Sequence, residues 1–111
     1  MAHINKLQVY ERSILGTKNY KNLTFANHGL FLLNKETIDN PKKVDYLKEI
    51  ITLCNGTITD NKSLAKFIVS DKPIDTTSDS QIVVVSTYIF DSAMKGSFLE
   101  VTRYHPKATQ A

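Results

Sequence analysis

Apolar residues recur with a helical period in three stretches of this sequence and gather into short unbroken runs in several others. In INKLQVYERSILG, residues 4–16, Ile4, Leu7, Tyr10 and Ile14 fall near one side of a helix, and Gly16 stands where it would stop. A stronger helical signal starts at Asn40, a good cap, followed by Pro41 at the first helical position. There Val44, Leu47, Ile50, Ile51 and Cys54 line one face, and Asn55 and Gly56 end the helix. A third helix is predicted from Thr87 as cap, with Ile89, Phe90, Ala93 and Met94 on its buried face and Gly96 closing it after Lys95.

Four short runs read as strands: GLFLLN (29–34), TIT (57–59), KFIVS (66–70) and IVVVS (82–86). The first is apolar enough to suit a strand covered on both faces. Strand, helix and strand in succession predict a right-handed crossover and parallel pairing, so the fold class is α/β with a small sheet. Leu47, Ile50, Val84 and Phe90 are expected to share one core. TKNYKNLTFAN (17–27) reads as a connector, and DKPIDTTSDSQ (71–81) as a solvated loop too short and too rich in Pro, Asp and Ser for a useful helix.

A chain of 111 residues with this hydrophobic content makes one domain with a single core. Cys54 is the one cysteine, and its place on an apolar face predicts a buried structural thiol. His3, His28 and His105 are scattered, so no zinc site is expected, nor any cofactor. No apolar run reaches membrane-spanning length, and the opening residues lack the apolar stretch of a secretory signal, which predicts an intracellular protein without a membrane partner. No phosphate-binding glycine loop, carboxylate pair or His-based nucleophile motif appears, so an enzyme is not expected.

Charge changes the picture in one region. The chain carries 14 Lys and Arg against 11 Asp and Glu, and residues 1–43 hold seven of the former with three of the latter, an excess of four. The plain reading is a solvated surface; the sharper one is an anion-facing N-terminal half. NKETIDNPKK, residues 34–43, places Asn34, Lys35 and Thr37 before the helix at Pro41 and puts Lys42 and Lys43 in its first turn, where anions gather.

Three segments taken in order carry a further likeness. GLFLLN to YLKEIITLCNGTI supplies a strand, a helix and a glycine turn into a strand. KFIVSDKP supplies the next strand, with Ala65 and Lys66 where a Thr and His pair is usual. VVSTYIFDSAMKGSFLEVTRY supplies a strand, then a helix carrying an aromatic, Asp and Ser, then a basic turn and a Leu, Glu and Tyr ending. Together, over about residues 25–105, they resemble a BRCT domain, the repeat named after the breast-cancer protein C-terminus. Tyr88 stands in place of the family's Trp, and Asn55 and Gly56 in place of its paired glycines. The aromatic replacement and the added N-terminal helix are similar to variant BRCT domains of fungal silent-chromatin and telomere scaffold proteins.

The resemblance implies a small four-stranded parallel sheet flanked by helices. It divides the chain into an N-terminal helical extension and connector (1–21), a BRCT-like domain (22–106) and a disordered tail (107–111). It implies a non-enzymatic nuclear module that binds short segments of partner proteins, phosphorylated or unmodified, in a chromatin-silencing or genome-maintenance scaffold. In phosphopeptide-binding members a Ser or Thr, a Gly and a Lys hold the phosphate; here Asn34 takes the first place, Lys35 the second, and Lys72 is the stand-in for the third. The candidate peptide or phosphate site is therefore Asn34, Lys35, Thr37, Lys42, Lys43 and Lys72. The alternative function is weak nucleic-acid binding through the basic N-terminal half. The oligomeric state is left open.

Overall fold

Four parallel strands lie in the order β2-β1-β3-β4: β1 (Leu30–Leu33), β2 (Thr57–Ile58), β3 (Ala65–Val69) and β4 (Ile82–Val84). The structure is a computed structural model and describes residues 14–16, 18–26, 28–38 and 40–106. Residues 14–16 are helical, but Ile4, Leu7 and Tyr10 of the expected N-terminal helix, and the expected tail at 107–111, lie outside the described residues.

Two α-helices follow among the described residues, α1 (Pro41–Leu53) and α2 (Ser86–Lys95). At the start of α1 the Asn40 side chain accepts from the Lys42 amide at 2.9 Å, and Pro41 occupies the first turn, as the sequence predicted. The chain leaves α1 through Asn55 in the left-handed region (φ 64°), a conformation Asn tolerates better than most residues. Val44, Leu47, Ile50 and Ile51 are buried, and they share one core with Phe31, Leu33, Phe67, Val69 and Val84 from the sheet and Tyr88, Ile89, Phe90 and Ala93 from α2. The predicted grouping of Leu47, Ile50, Val84 and Phe90 is therefore observed. Cys54 is fully buried in the same cluster, and burial pushes its thiol up to about 11.

The register explains which sheet residues join this core. Phe31 pairs with Phe67 and Phe67 with Ile82; Leu33 pairs with Val69 and Val69 with Val84, so these side chains share one face. The Phe31 and Phe67 rings stack with centroids 4.9 Å apart. The opposite face carries Leu32, Ile68 and Val83 in register. Ile68 is buried, whereas Leu30, Leu32 and Val83 are only partly so. The strand expected to be covered on both faces is buried on the one packed by the helices and half-buried on the other, beside the helix-free segment 71–81. That segment is pinned by Lys66 Nζ donating to the Ser80 carbonyl (2.7 Å) and Gln81 Nε2 donating to the carbonyls of Lys62 (2.6 Å) and Ala65 (3.0 Å).

Other boundaries differ by a residue or two. β3 begins at Ala65, and β4 ends at Val84, with Ser86 already helical. Thr87 is not the cap of α2. Val85 holds that position without a side-chain bond, and the Ser86 amide is satisfied instead by the Asp71 carboxylate at 2.8 Å. The predicted connector contributes to the core as well: Leu23 and Phe25 are buried, and the Phe25 amide donates to the Cys54 carbonyl at 2.7 Å.

After α2 the chain returns along the outer edge of β4. The Val85 amide donates to the Tyr104 carbonyl at 2.7 Å, and His105 Nδ1 lies 2.7 Å from the Val83 carbonyl. These contacts cover strand edge that would otherwise offer free pairing groups.

Candidate functional site

In this strand order β1 lies between β2, reached through α1, and β3, reached by a connection that places it on the other side. The carboxyl ends of β1 and β3 therefore flank the point where an open α/β sheet changes direction, the usual seat of ligands in such sheets. Asn34 follows β1 there, and Ser70 follows β3.

Asn34 forms a tight turn rather than an open hand. Its amide donates to the Val69 carbonyl (2.9 Å), its Oδ1 accepts from the Glu36 amide (3.3 Å), and its carbonyl accepts from the Thr37 amide (3.1 Å). This turn aims the Thr37 hydroxyl at the end of β3, where its Oγ1 lies 2.9 Å from Ser70 Oγ and accepts from the Asp71 amide at 3.3 Å. Ser70 is fully buried and donates to the Lys72 carbonyl.

Asp71 then joins both helices. Its Oδ2 pairs with Lys43 Nζ of the first turn of α1 at 3.1 Å, and its Oδ1 accepts from the Ser86 amide that opens α2. The side chains of Lys43 and Asp71 are 29% and 24% exposed, so this ion pair is shielded more than a surface pair.

The sequence-derived residues thus fall into two groups. Thr37 and Lys43 meet Asp71 directly, and Asn34 bonds Thr37. Lys35, Lys42 and Lys72 are exposed, and of these Lys35 stands at the rim of two open clefts. One, of about 380 Å³, is lined by Leu32, Leu33, Asn34, Glu36, Asp60 and Ile74 beside Lys35 and Lys62. The other, of about 370 Å³, has Ile38, Pro41 and Val44 as its apolar part and Lys35, Asp45 and Lys48 as its charged part. Lys42 and Lys72 line neither. Ser70 and Asp71 were not singled out from sequence; the one local signal was a polar pair ending a buried strand.

Among the described residues no three His, Cys, Asp or Glu side chains converge as a metal site would require. His28 stacks on Phe98 with centroids 3.8 Å apart, and the raised, buried Cys54 thiol is a poor nucleophile. No described helix is long and apolar enough to cross a membrane.

A four-stranded parallel sheet in this order, with two helices packed together against it, is the BRCT fold. Solved structures similar to the chain include the C-terminal BRCT domain of human XRCC1 and the second XRCC1 BRCT domain. Each is 18% identical with a TM-score of 0.65; the first match covers 79% of this chain and 98% of the other, the second 78% and 93%. Agreement at that identity is agreement of fold. No protein-family model matches the chain, and no curated protein does.

Proposed function

We propose that this chain is a non-enzymatic interaction module that binds short segments of partner proteins beside the carboxyl end of β1. The observation that carries the reading is the cleft of Lys35, Ile38, Pro41, Val44, Asp45 and Lys48, where apolar side chains of the β1–α1 turn and α1 lie beside charges of both signs. Such a surface suits an extended peptide with an apolar anchor and a polar flank. The BRCT fold agrees with this role. A place in a nuclear chromatin-silencing or genome-maintenance scaffold follows from the sequence resemblance to variant BRCT domains.

The test is capture from matched phosphorylated and unmodified peptide libraries by the wild-type chain and by Lys35→Glu and Lys48→Glu. Wild type should retain a defined set of segments, and both variants should lose it. Affinity near micromolar, about −8 kcal/mol, is the expected scale for one such module. Binding at an apolar cleft should respond weakly to salt. Tight duplex DNA binding with a steep salt dependence, and no peptide capture, would replace this reading with the nucleic-acid one.

A further inference from the structure

The crevice between the carboxyl ends of β1 and β3 brings together groups that attract an anion. Lys43 projects into it from the first turn of α1, and the Ser86 amide enters from the first turn of α2, where partial positive charge collects. The chain supplies its own anion there. One carboxylate oxygen of Asp71 takes the lysine at 3.1 Å and the other takes the amide at 2.8 Å.

The Asp71 backbone is held as firmly as its side chain. Its amide donates to Thr37 Oγ1 at 3.3 Å, and the preceding Ser70 amide donates to the Val84 carbonyl at 2.9 Å. An incoming phosphate would meet the Asp71 carboxylate, which already holds the Lys43 ammonium and the Ser86 amide in a shielded site. The Asn34 side chain is anchored through its Oδ1, which accepts from the Glu36 amide at 3.3 Å.

We infer that Asp71 is a built-in anion that closes this crevice to phosphate, so that the chain recognises its partner segments there without a phosphoryl group. The inference builds on the peptide-binding reading but is tested apart from it. Asp71 acts as a specificity determinant: it sets which ligand chemistry the Lys43 seat accepts.

The experiment titrates inorganic phosphate into the isotopically labelled full chain and follows the amides of Thr37, Asp71 and Ser86 by NMR. The variants are Asp71→Asn, which keeps an oxygen for the Ser86 amide while removing the charge, and Asp71→Asn combined with Lys43→Gln. Wild type should show no saturable shift at these amides. Asp71→Asn should gain saturable binding at least about tenfold tighter than wild type, equivalent to about 1.4 kcal/mol, and the added Lys43→Gln should remove the gain. If Asp71→Asn melts below the working temperature, Asp71→Ser, which also removes the charge, carries the same expectation. Saturable binding by wild type at these amides, or no gain in a folded Asp71 variant, overturns the inference. Because the titration uses no peptide, a chain that captures no segment from the libraries fails the first reading and leaves this one to the phosphate result.

Discussion

The Tyr88 phenol donates a hydrogen bond to the backbone carbonyl of Leu99, 3.1 Å away, from a side chain that is 1% exposed. A large aromatic ring can fill a core site only if its polar tip is satisfied, and this bond does that. The Tyr104 ring meets it edge-on with centroids 5.3 Å apart, and the Tyr104 hydroxyl donates to Asp91 at 3.0 Å. Tyr88 thereby fastens the segment after α2 to the core. Tyr88→Phe should destabilise the fold by about 1 kcal/mol, and Tyr88→Ala by about 3–5 kcal/mol, in urea melts. A Phe variant as stable as wild type would show that the bond contributes nothing.

Burial also sets an alkaline limit. It pushes the Cys54 thiol up to about 11, and it raises the Tyr88 phenol. Both groups keep their protons to higher pH when folded than when unfolded, so the unfolded chain releases them first. Stability should hold at neutral pH and fall as the pH rises from the ordinary thiol range towards about 11. Cys54→Ala should flatten the earlier part of that decline, leaving the part due to Tyr88. Thiol titration should find Cys54 unreactive in the native chain at neutral pH and reactive in denaturant.

Much of this architecture was readable from local pattern, and the failures have a common cause. α1 was legible because its cap, its Pro and its apolar stripe are all local and all agree. The strands were legible as apolar runs, but their ends depend on distant partners. Ser86 joins α2 rather than β4 because Asp71, fifteen residues earlier, satisfies its amide. Asp71 itself lay in a loop whose composition suggested only solvent. Its ionic partner is twenty-eight residues away, a relation that no local period encodes. Lys43 was recognised as a cation near an anion site, yet the anion that meets it is the chain's own.

Gly96 closes α2 with φ 79°, and its amide donates to the Ser92 carbonyl at 2.8 Å. A Cβ there would both strain the backbone and press on the carbonyl oxygen of Asn19, whose side-chain amide donates to the Met94 carbonyl at 3.0 Å. Gly96→Ala should therefore cost more than the roughly 1 kcal/mol typical of a strained left-handed position. It should also perturb the amides of Asn19 and Met94 in NMR spectra. A melting temperature equal to wild type would show that the Asn19 contact yields freely.

Ile14 is 1% exposed in the core, while its neighbour Leu15 and Leu53 of α1 are 41% and 43% exposed beside a narrow apolar groove with Tyr46 and Phe90. Ile4, Leu7 and Tyr10 continue the stripe of Ile14 in sequence. If that stripe covers the groove, removal of residues 1–13 lowers the melting temperature and increases binding of a hydrophobic dye. An unchanged midpoint would assign Leu15 and Leu53 to solvent in the intact chain.

Thr37 and Ser70 provide the sharpest test of the crevice as a structural unit. Their hydroxyl oxygens are 2.9 Å apart, Thr37 also lies 3.1 Å from the Asn34 carbonyl, and it receives the Asp71 amide. Thr37→Val keeps the shape but leaves the Asp71 amide without this acceptor, which should cost about 1–3 kcal/mol. Ser70→Ala removes the donor to the Lys72 carbonyl at a fully buried position and should cost a similar amount. Because each substitution already breaks the shared contact, the double variant should lose less than the two single losses combined, with a coupling of about 0.5 kcal/mol or more. Strict additivity in a denaturant cycle would mean that the two hydroxyls act independently. The Asp71 carboxylate would then owe its position to Lys43 and Ser86 alone.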